Sequence, residues 1–348
     1  MARPAFEING EQVPTGQARI VALPVPRLNS GDQSTMPIHV LHSKKDGPRL
    51  FLSAAIHGDE LNGIEVIRRV LSHKALKRLR GTLVAIPVVN VYGLVHESRY
   101  LPDRRDLNRS FPGSPEGSLA ARLAHLFMTE VVNKCTHGID LHTGSRHRSN
   151  LPQIRANLDD PTTEELARAF GVPVMLNSAL RDGSLRECAA SAGVPMLLYE
   201  AGEALRYDEL SIRGGVQGVI NVMRNLGMLP KVTSSRSKLE PFVAYRSSWQ
   251  RAPETGMLRI TKRLGAAVAV GDLLGQIDDP FTGSQHDIIA KIRGIVIGRT
   301  QSPLVHEGDA IFHIARFKDD FDEVEENVAQ YRERQEEALE LDPELTIV

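Results

Sequence analysis

Between about Arg49 and Leu229, short apolar runs alternate with segments whose apolar residues recur at helical spacing. That alternation leaves few architectures open. RLFLSAAIH from Arg49 and TLVAIPVVN from Thr82 are almost wholly apolar, as strands covered on both faces must be. Between them, GDELNGIEVIRRVLSHKAL sets Leu61, Ile64, Ile67, Val70 and Leu71 on one helix face. A long polar loop, VYGLVHESRYLPDRRDLNRSFPGSPEGS, then leads into SLAARLAHLFMTEVVNKC, an amphipathic helix. HGIDLHTG reads as a strand, TEELARAFG and LRECAASAG as helices, VPMLLYEAG as a strand and GGVQGVINVMRNLGML as a helix. The pattern predicts an α/β domain over residues 1–235, a mixed sheet flanked by helices. In such sheets, sites form beyond the carboxyl ends of strands.

From about Phe242 the texture changes. RAPETGMLRITKRLGAAVAVGDLLGQI and AKIRGIVIGRTQSPLVHEGDAIFHI are similar units, each with an early Gly, valines, a Gly-Asp pair and an apolar strand. They predict a small, separate β-domain over 242–316. Residues 317–348 are strongly acidic and read as a solvated terminal helix or a frayed tail.

With 42 basic and 43 acidic side chains the net charge is −1, so bulk electrostatics predicts neither a nucleic-acid nor a membrane-surface partner. The densest basic run, Arg68, Arg69, Lys74, Lys77, Arg78 and Arg80, reads as a solvated helix face. The 2 cysteines, Cys135 and Cys188, sit in no paired motif, which fits a reducing compartment. The N-terminal stretch has no apolar signal core and no run is long and apolar enough to cross a bilayer, so the expectation is a cytoplasmic protein.

Four segments at strand ends or between elements carry chemistry. In Ala55-Ile56-His57-Gly58-Asp59-Glu60, an imidazole and a carboxylate follow a buried strand at a spacing that can bring both to one cation. In Asp140-Leu141-His142-Thr143-Gly144, His142 would complete a two-His, one-carboxylate set, although a satisfied histidine beside Asp140 reads equally well. A catalytic zinc site needs three protein ligands and an open position. In Asp106-Leu107-Asn108-Arg109-Ser110, Arg109 offers a fork for a carboxylate and Asn108 an amide. Asp106 could hold a ligand histidine in its tautomer, and Arg99, Arg104 or Arg105 could stabilise an oxyanion. In Leu198-Tyr199-Glu200-Ala201-Gly202, Glu200 ends an apolar strand where a general acid/base could stand.

Together and in this order, HGDE at His57, DLNRSFPG at Asp106, DLHTG at Asp140 and YEAG at Tyr199 resemble the aspartoacylase and succinylglutamate desuccinylase family, within the zinc carboxypeptidase fold group. The likeness covers roughly Arg49 to Gly227. It implies one zinc ion per chain on His57, Glu60 and His142, Glu200 as general acid/base, and Asn108 and Arg109 on the acyl group or its carboxylate. It further implies Asp106 as partner of His57 and Arg99 as the preferred oxyanion arginine, with Arg104 and Arg105 still open, and Arg186 as the nearest match to an arginine that reads the substrate's carboxylate. The implied activity is removal of an acetyl- or succinyl-type group from the nitrogen of a small amino-acid-like substrate, with homo-oligomerisation allowed.

The β-domain resembles the biotinyl/lipoyl-type fold. Its hairpin stretch DDPFTGSQHD lacks the lysine a carrier would present, so it reads as a structural or oligomer-forming module that could roof the active site. Two rival readings are a zinc carboxypeptidase acting on short peptides and a non-catalytic binding or carrier protein.

Overall fold

The computed structural model describes residues 3–31, 33–178, 180–232 and 239–341, with side chains described as far as 337. In chain order the elements are β1 (Phe6–Ile8), β2 (Glu11–Val13), β3 (Gln17–Pro24), β4 (Thr35–His42), β5 (Arg49–Ala54), α1 (Asn62–Ser72), β6 (Thr82–Ile86), α2 (Val91–Val95) and α3 (Leu119–Glu130). There follow β7 (His137–Gly144), β8 (Arg148–Ala156), α4 (Pro161–Phe170), β9 (Val174–Asn177), α5 (Leu185–Ser191), β10 (Met196–Glu203) and α6 (Glu209–Asn225). The remainder is β11 (Phe242–Arg251), β12 (Gly256–Ile260), β13 (Ala267–Val268), β14 (Leu273–Asp278), β15 (Gln285–Ile289), β16 (Gly294–Thr300), β17 (Leu304–Val305), β18 (Ala310–Phe317) and α7 (Phe321–Leu341).

One 12-stranded mixed sheet runs in the order β13-β16-β18-β11-β9-β8-β10-β7-β5-β6-β4-β3. At its centre β10, β7, β5 and β6 are parallel, and β5 and β6 bury nearly every residue because helices cover both faces. One face packs Phe51 and Ile86 beneath α3, where Phe51 meets Phe127 edge-on at 6.1 Å. Such a ring pair adds about 0.5–1.5 kcal/mol to plain area burial. The other face packs Leu52 and Leu141 beneath α1, α4 and α6, which contribute Ile67, Phe170 and Met223. Arg69 is buried between Glu65 and Glu209 and ties α1 to α6, at 2.6 Å from each partner. The basic run is therefore not wholly a solvated face: Arg68 is exposed, whereas Arg69 is an internal strut.

The C-terminal β region is not set apart from the α/β part. β11 pairs in parallel with β9, and β16 pairs with β8, so β8, β9, β11, β18 and β16 close into a ring of hydrogen-bonded strands. β12, β14, β15 and β17 form a smaller sheet outside it. The boundary expected between 235 and 242 falls partly outside the described residues. The acidic end is not simply solvated. α7 buries Val324, Val328 and Tyr331 while Asp322, Glu323, Glu326, Glu333, Glu336 and Glu337 are exposed, and residues 342–348 lie outside the described part.

Candidate active site

The strand ends converge as the topology demands. β5 and β7 are parallel neighbours, so the segments after Ala54 and around His142 emerge side by side, and β10 places Glu200 opposite His142 in register. The turn carrying His57 runs so close to α2 that a Cβ on Gly58 would lie 1.9 Å from the carbonyl carbon of Gly93. Only glycine allows that approach.

His57, Glu60 and His142 are all buried, and their potential ligand atoms lie within 4.8 Å of one another. His57 Nδ1 is 2.7 Å from Glu60 Oε1, and His142 Nδ1 is 2.8 Å from Glu60 Oε2. The remaining nitrogens are each held by a carboxylate: His57 Nε2 donates to Asp106 Oδ1 at 3.1 Å and His142 Nε2 to Asp140 Oδ2 at 2.6 Å. Ser53 Oγ donates to the other oxygen of Asp140 at 2.7 Å. With Nε2 held by a carboxylate, each Nδ1 faces Glu60: it donates to that carboxylate while protonated and would offer its lone pair to a cation once that proton has left. Arg99 Nη1 lies 3.2 Å from His57 Nδ1 and, being a donor only, can bond it in that deprotonated form. Two imidazoles and one carboxylate so oriented form a donor set that a divalent metal such as zinc fits. The satisfied-histidine reading of His142 also holds, on its other nitrogen.

Burial opposes the charge on all three groups, yet they stabilise one another. Glu60 is held far below the usual carboxylate range by the two imidazoles. His57 is raised by Glu60 and Asp106, and His142 is raised well above the usual imidazole value by Asp140 and Glu60. Asp106 is pulled down by His57 and Arg99 against its own burial.

Of the three arginines left open, Arg99 is the one beside the cluster, with Nη1 3.4 Å from Glu60 Oε1 and Nη2 donating to Asp106 Oδ2 at 3.0 Å. Arg104 and Arg105 are exposed, and the nearest ionic partner of Arg105 is Asp103 at 3.8 Å. Asn108 is buried and spends its Oδ1 on the backbone N–H of Leu185 at the start of α5, which leaves its amide donors for a ligand. Arg109 is exposed and folds back onto the carbonyl of Asn108. Arg186 is buried, donates to the Ser178 carbonyl at 3.1 Å, and is pushed down to about 10 by burial with Arg155 adding to the effect.

Glu200 has two contacts that sequence reasoning missed. Asn150 Nδ2 donates to Oε1 at 2.7 Å, and Arg155 Nε forms an ion pair with Oε2 at 2.5 Å, off the direction of a good hydrogen bond. Both come from β8, a strand the sequence reading left out. The signal that could have found it is the mixed apolar and polar run RSNLPQIRA, interrupted by Pro152. That proline sits where the β8–β10 register shifts, a bulge that tolerates a missing donor.

Residues 46–226 match the family described as succinylglutamate desuccinylase/aspartoacylase catalytic domain. The N-alpha-acetyl-L-2,4-diaminobutyric acid deacetylase of Halomonas elongata is 25% identical over 323 residues, which cover 89% of this chain and 93% of that relative. A solved succinylglutamate desuccinylase/aspartoacylase from Rhodobacter sphaeroides superimposes with a TM-score of 0.77 at 25% identity, covering 86% of this chain and 95% of that one. The product-bound ectoine utilization protein EutE from Ruegeria pomeroyi shares the fold with a TM-score of 0.77 at 23% identity, over 90% of this chain and 99% of its own. The motif order, the site geometry and a match over more than half the chain together place this protein in the succinylglutamate desuccinylase/aspartoacylase family.

Proposed function

We propose that the protein is a zinc-dependent amidohydrolase that removes an acetyl- or succinyl-type group from the nitrogen of a small amino-acid-like substrate. The observation that carries this reading is the convergence of His57, Glu60 and His142, each histidine backed by its own carboxylate. Those three residues would hold one zinc ion per chain. When bound, zinc lowers the pKa of a coordinated water toward about 7 and polarises an acyl carbonyl.

The chain's own groups supply the rest. Glu200 accepts a proton on its carboxylate as water attacks the acyl carbon, then delivers it to the amide nitrogen as the carbon–nitrogen bond breaks. Arg99 donates toward the acyl oxygen as negative charge builds there, a role usually worth about 100- to 1,000-fold in rate per donor. The Asn108 amide, Arg109 and Arg186 bind the acyl group or the substrate's carboxylate. The names of the Halomonas and Rhodobacter relatives support small N-acyl amino acids as the substrate class. The C-terminal β region, read as biotinyl/lipoyl-type in fold, serves as a structural module.

The test is zinc analysis of the purified protein followed by a hydrolysis panel of N-acetyl- and N-succinyl-amino acids against short peptides. Release of free amine from the N-acyl compounds is expected. The substitution Glu200→Gln should keep zinc and lower kcat by about 100-fold or more. A zinc-free protein, or one cutting only peptides, would overturn the proposal.

A further inference from the structure

We propose that the C-terminal β region completes the active site: Gly298 in β16 leaves the space that lets Asn150 hold the Glu200 carboxylate, making Gly298, Asn150 and Arg155 positioning residues for the general base. The inference rests on the reading of Glu200 given above.

Three observations carry it. First, the two oxygens of Glu200 are held separately, Oε1 by Asn150 Nδ2 at 2.7 Å and Oε2 by Arg155 Nε at 2.5 Å, so its orientation is set from β8. Second, Asn150 and Gly298 are directly opposed in the β8–β16 ladder, which makes β16 the neighbour that limits where the Asn150 side chain can go. Third, a Cβ built on Gly298 would lie 2.6 Å from Asn150 Oδ1 and 3.2 Å from the Cβ of His313 on β18. Non-bonded carbon contacts settle at about 3.5–4.0 Å, so one extra methyl forces a displacement.

The group that yields is decided by stiffness. His313 stacks on Trp249 with ring centroids 4.7 Å apart and is fixed in the strand ring, whereas the Asn150 amide is the free end of a side chain. Gly298 shows no left-handed φ, so alanine fits its backbone and the fold survives the substitution. Its cost falls on the Asn150–Glu200 contact. A reacting group misplaced by about 1 Å can lose about 100-fold in rate.

The experiment compares zinc-loaded wild type with Gly298→Ala, Asn150→Ala, the double variant, Arg155→Gln and Arg155→Lys. Substrates are N-α-acetyl-L-2,4-diaminobutyrate and N-acetyl-L-aspartate, and a crystal structure of Gly298→Ala accompanies the kinetics. We expect kcat to fall roughly 10- to 100-fold in each single alanine variant with KM within about 3-fold of wild type. The double variant should be no slower than Asn150→Ala alone, because both act through one contact. Arg155→Lys should recover part of what Arg155→Gln loses. The Gly298→Ala crystal should show Asn150 displaced from Glu200. Additive losses, losses confined to KM, or an Asn150–Glu200 contact left intact in the Gly298→Ala crystal would each overturn the proposal, and the crystal decides if neither compound is turned over. Full activity in Glu200→Gln would instead sink the general-base reading. An inactive Glu200→Gln beside a fully active Asn150→Ala would sink only the positioning role.

Discussion

At the scale of single residues, the two nitrogens of His142 divide the site's work: Nε2 is fixed by Asp140, and Nδ1 faces Glu60. Asp140→Asn keeps the shape but loses the charge that fixes the tautomer. Zinc affinity should fall about 10- to 100-fold, read by competition with a chelator, and an unchanged affinity would remove Asp140 from the site's design. The metal-free pair also has a pH signature. Both candidate ligand histidines are raised above the ordinary imidazole value by their carboxylate neighbours, so zinc uptake below that raised range would displace protons. Affinity should therefore weaken as pH falls through the histidines' raised range, and calorimetry in two buffers of different ionisation enthalpy should detect proton release on binding. The sign for folding is opposite. A raised histidine stabilises the metal-free fold below the ordinary imidazole range, and that contribution is lost as pH rises through the raised value. His57, Glu60 and His142 were legible in the sequence because each stands in a short motif at a strand end, and Asp106 because it opens a motif in the loop between α2 and α3. Asn150 and Arg155 were not, because their roles depend on which strand lies beside β10.

At the scale of elements, α7 and β8 show where local pattern fails. The acidic texture of 317–341 hides an inner stripe of Val324, Val328 and Tyr331, and this stripe finds its partner only once α6 and β16 are assembled. Tyr331 packs its ring against α6 beside Gly214, while its hydroxyl is buried with no hydrogen-bond partner among the described residues. Tyr331→Ala should cost about 3 kcal/mol by urea denaturation, as loss of a buried aromatic ring does. Tyr331→Phe should be neutral or stabilising by up to about 1 kcal/mol, since the hydroxyl is desolvated without return. Equal destabilisation by both would mean the hydroxyl is bonded. β8 carries Pro152, a residue that central strands rarely admit, and the register shift beside it accommodates the missing donor.

At the scale of the whole molecule, the ring of β8, β9, β11, β18 and β16 joins the two halves of the chain. A fragment of residues 1–235 would expose the edges of β8 and β9 that β16 and β11 now cover. It should aggregate or lack cooperative unfolding by circular dichroism and calorimetry; a soluble, cooperatively folding fragment would show that the β region is dispensable for the α/β part. Alternating apolar runs and helical periods determined the α/β class by themselves, because the burial of β5 and β6 and the one-sided burial of α1 and α3 are written in local spacing. Two motifs, HGDE at His57 and DLHTG at Asp140, likewise determined the metal-site candidates, because strand ends bring chemistry to one edge of a parallel sheet. The tertiary structure alone decided that the C-terminal strands join the main sheet, that Arg69 is a buried strut, and that β8 holds Glu200. These outcomes depend on pairings as distant in the chain as Arg148 with Thr300, and local periodicity carries no record of its distant partner.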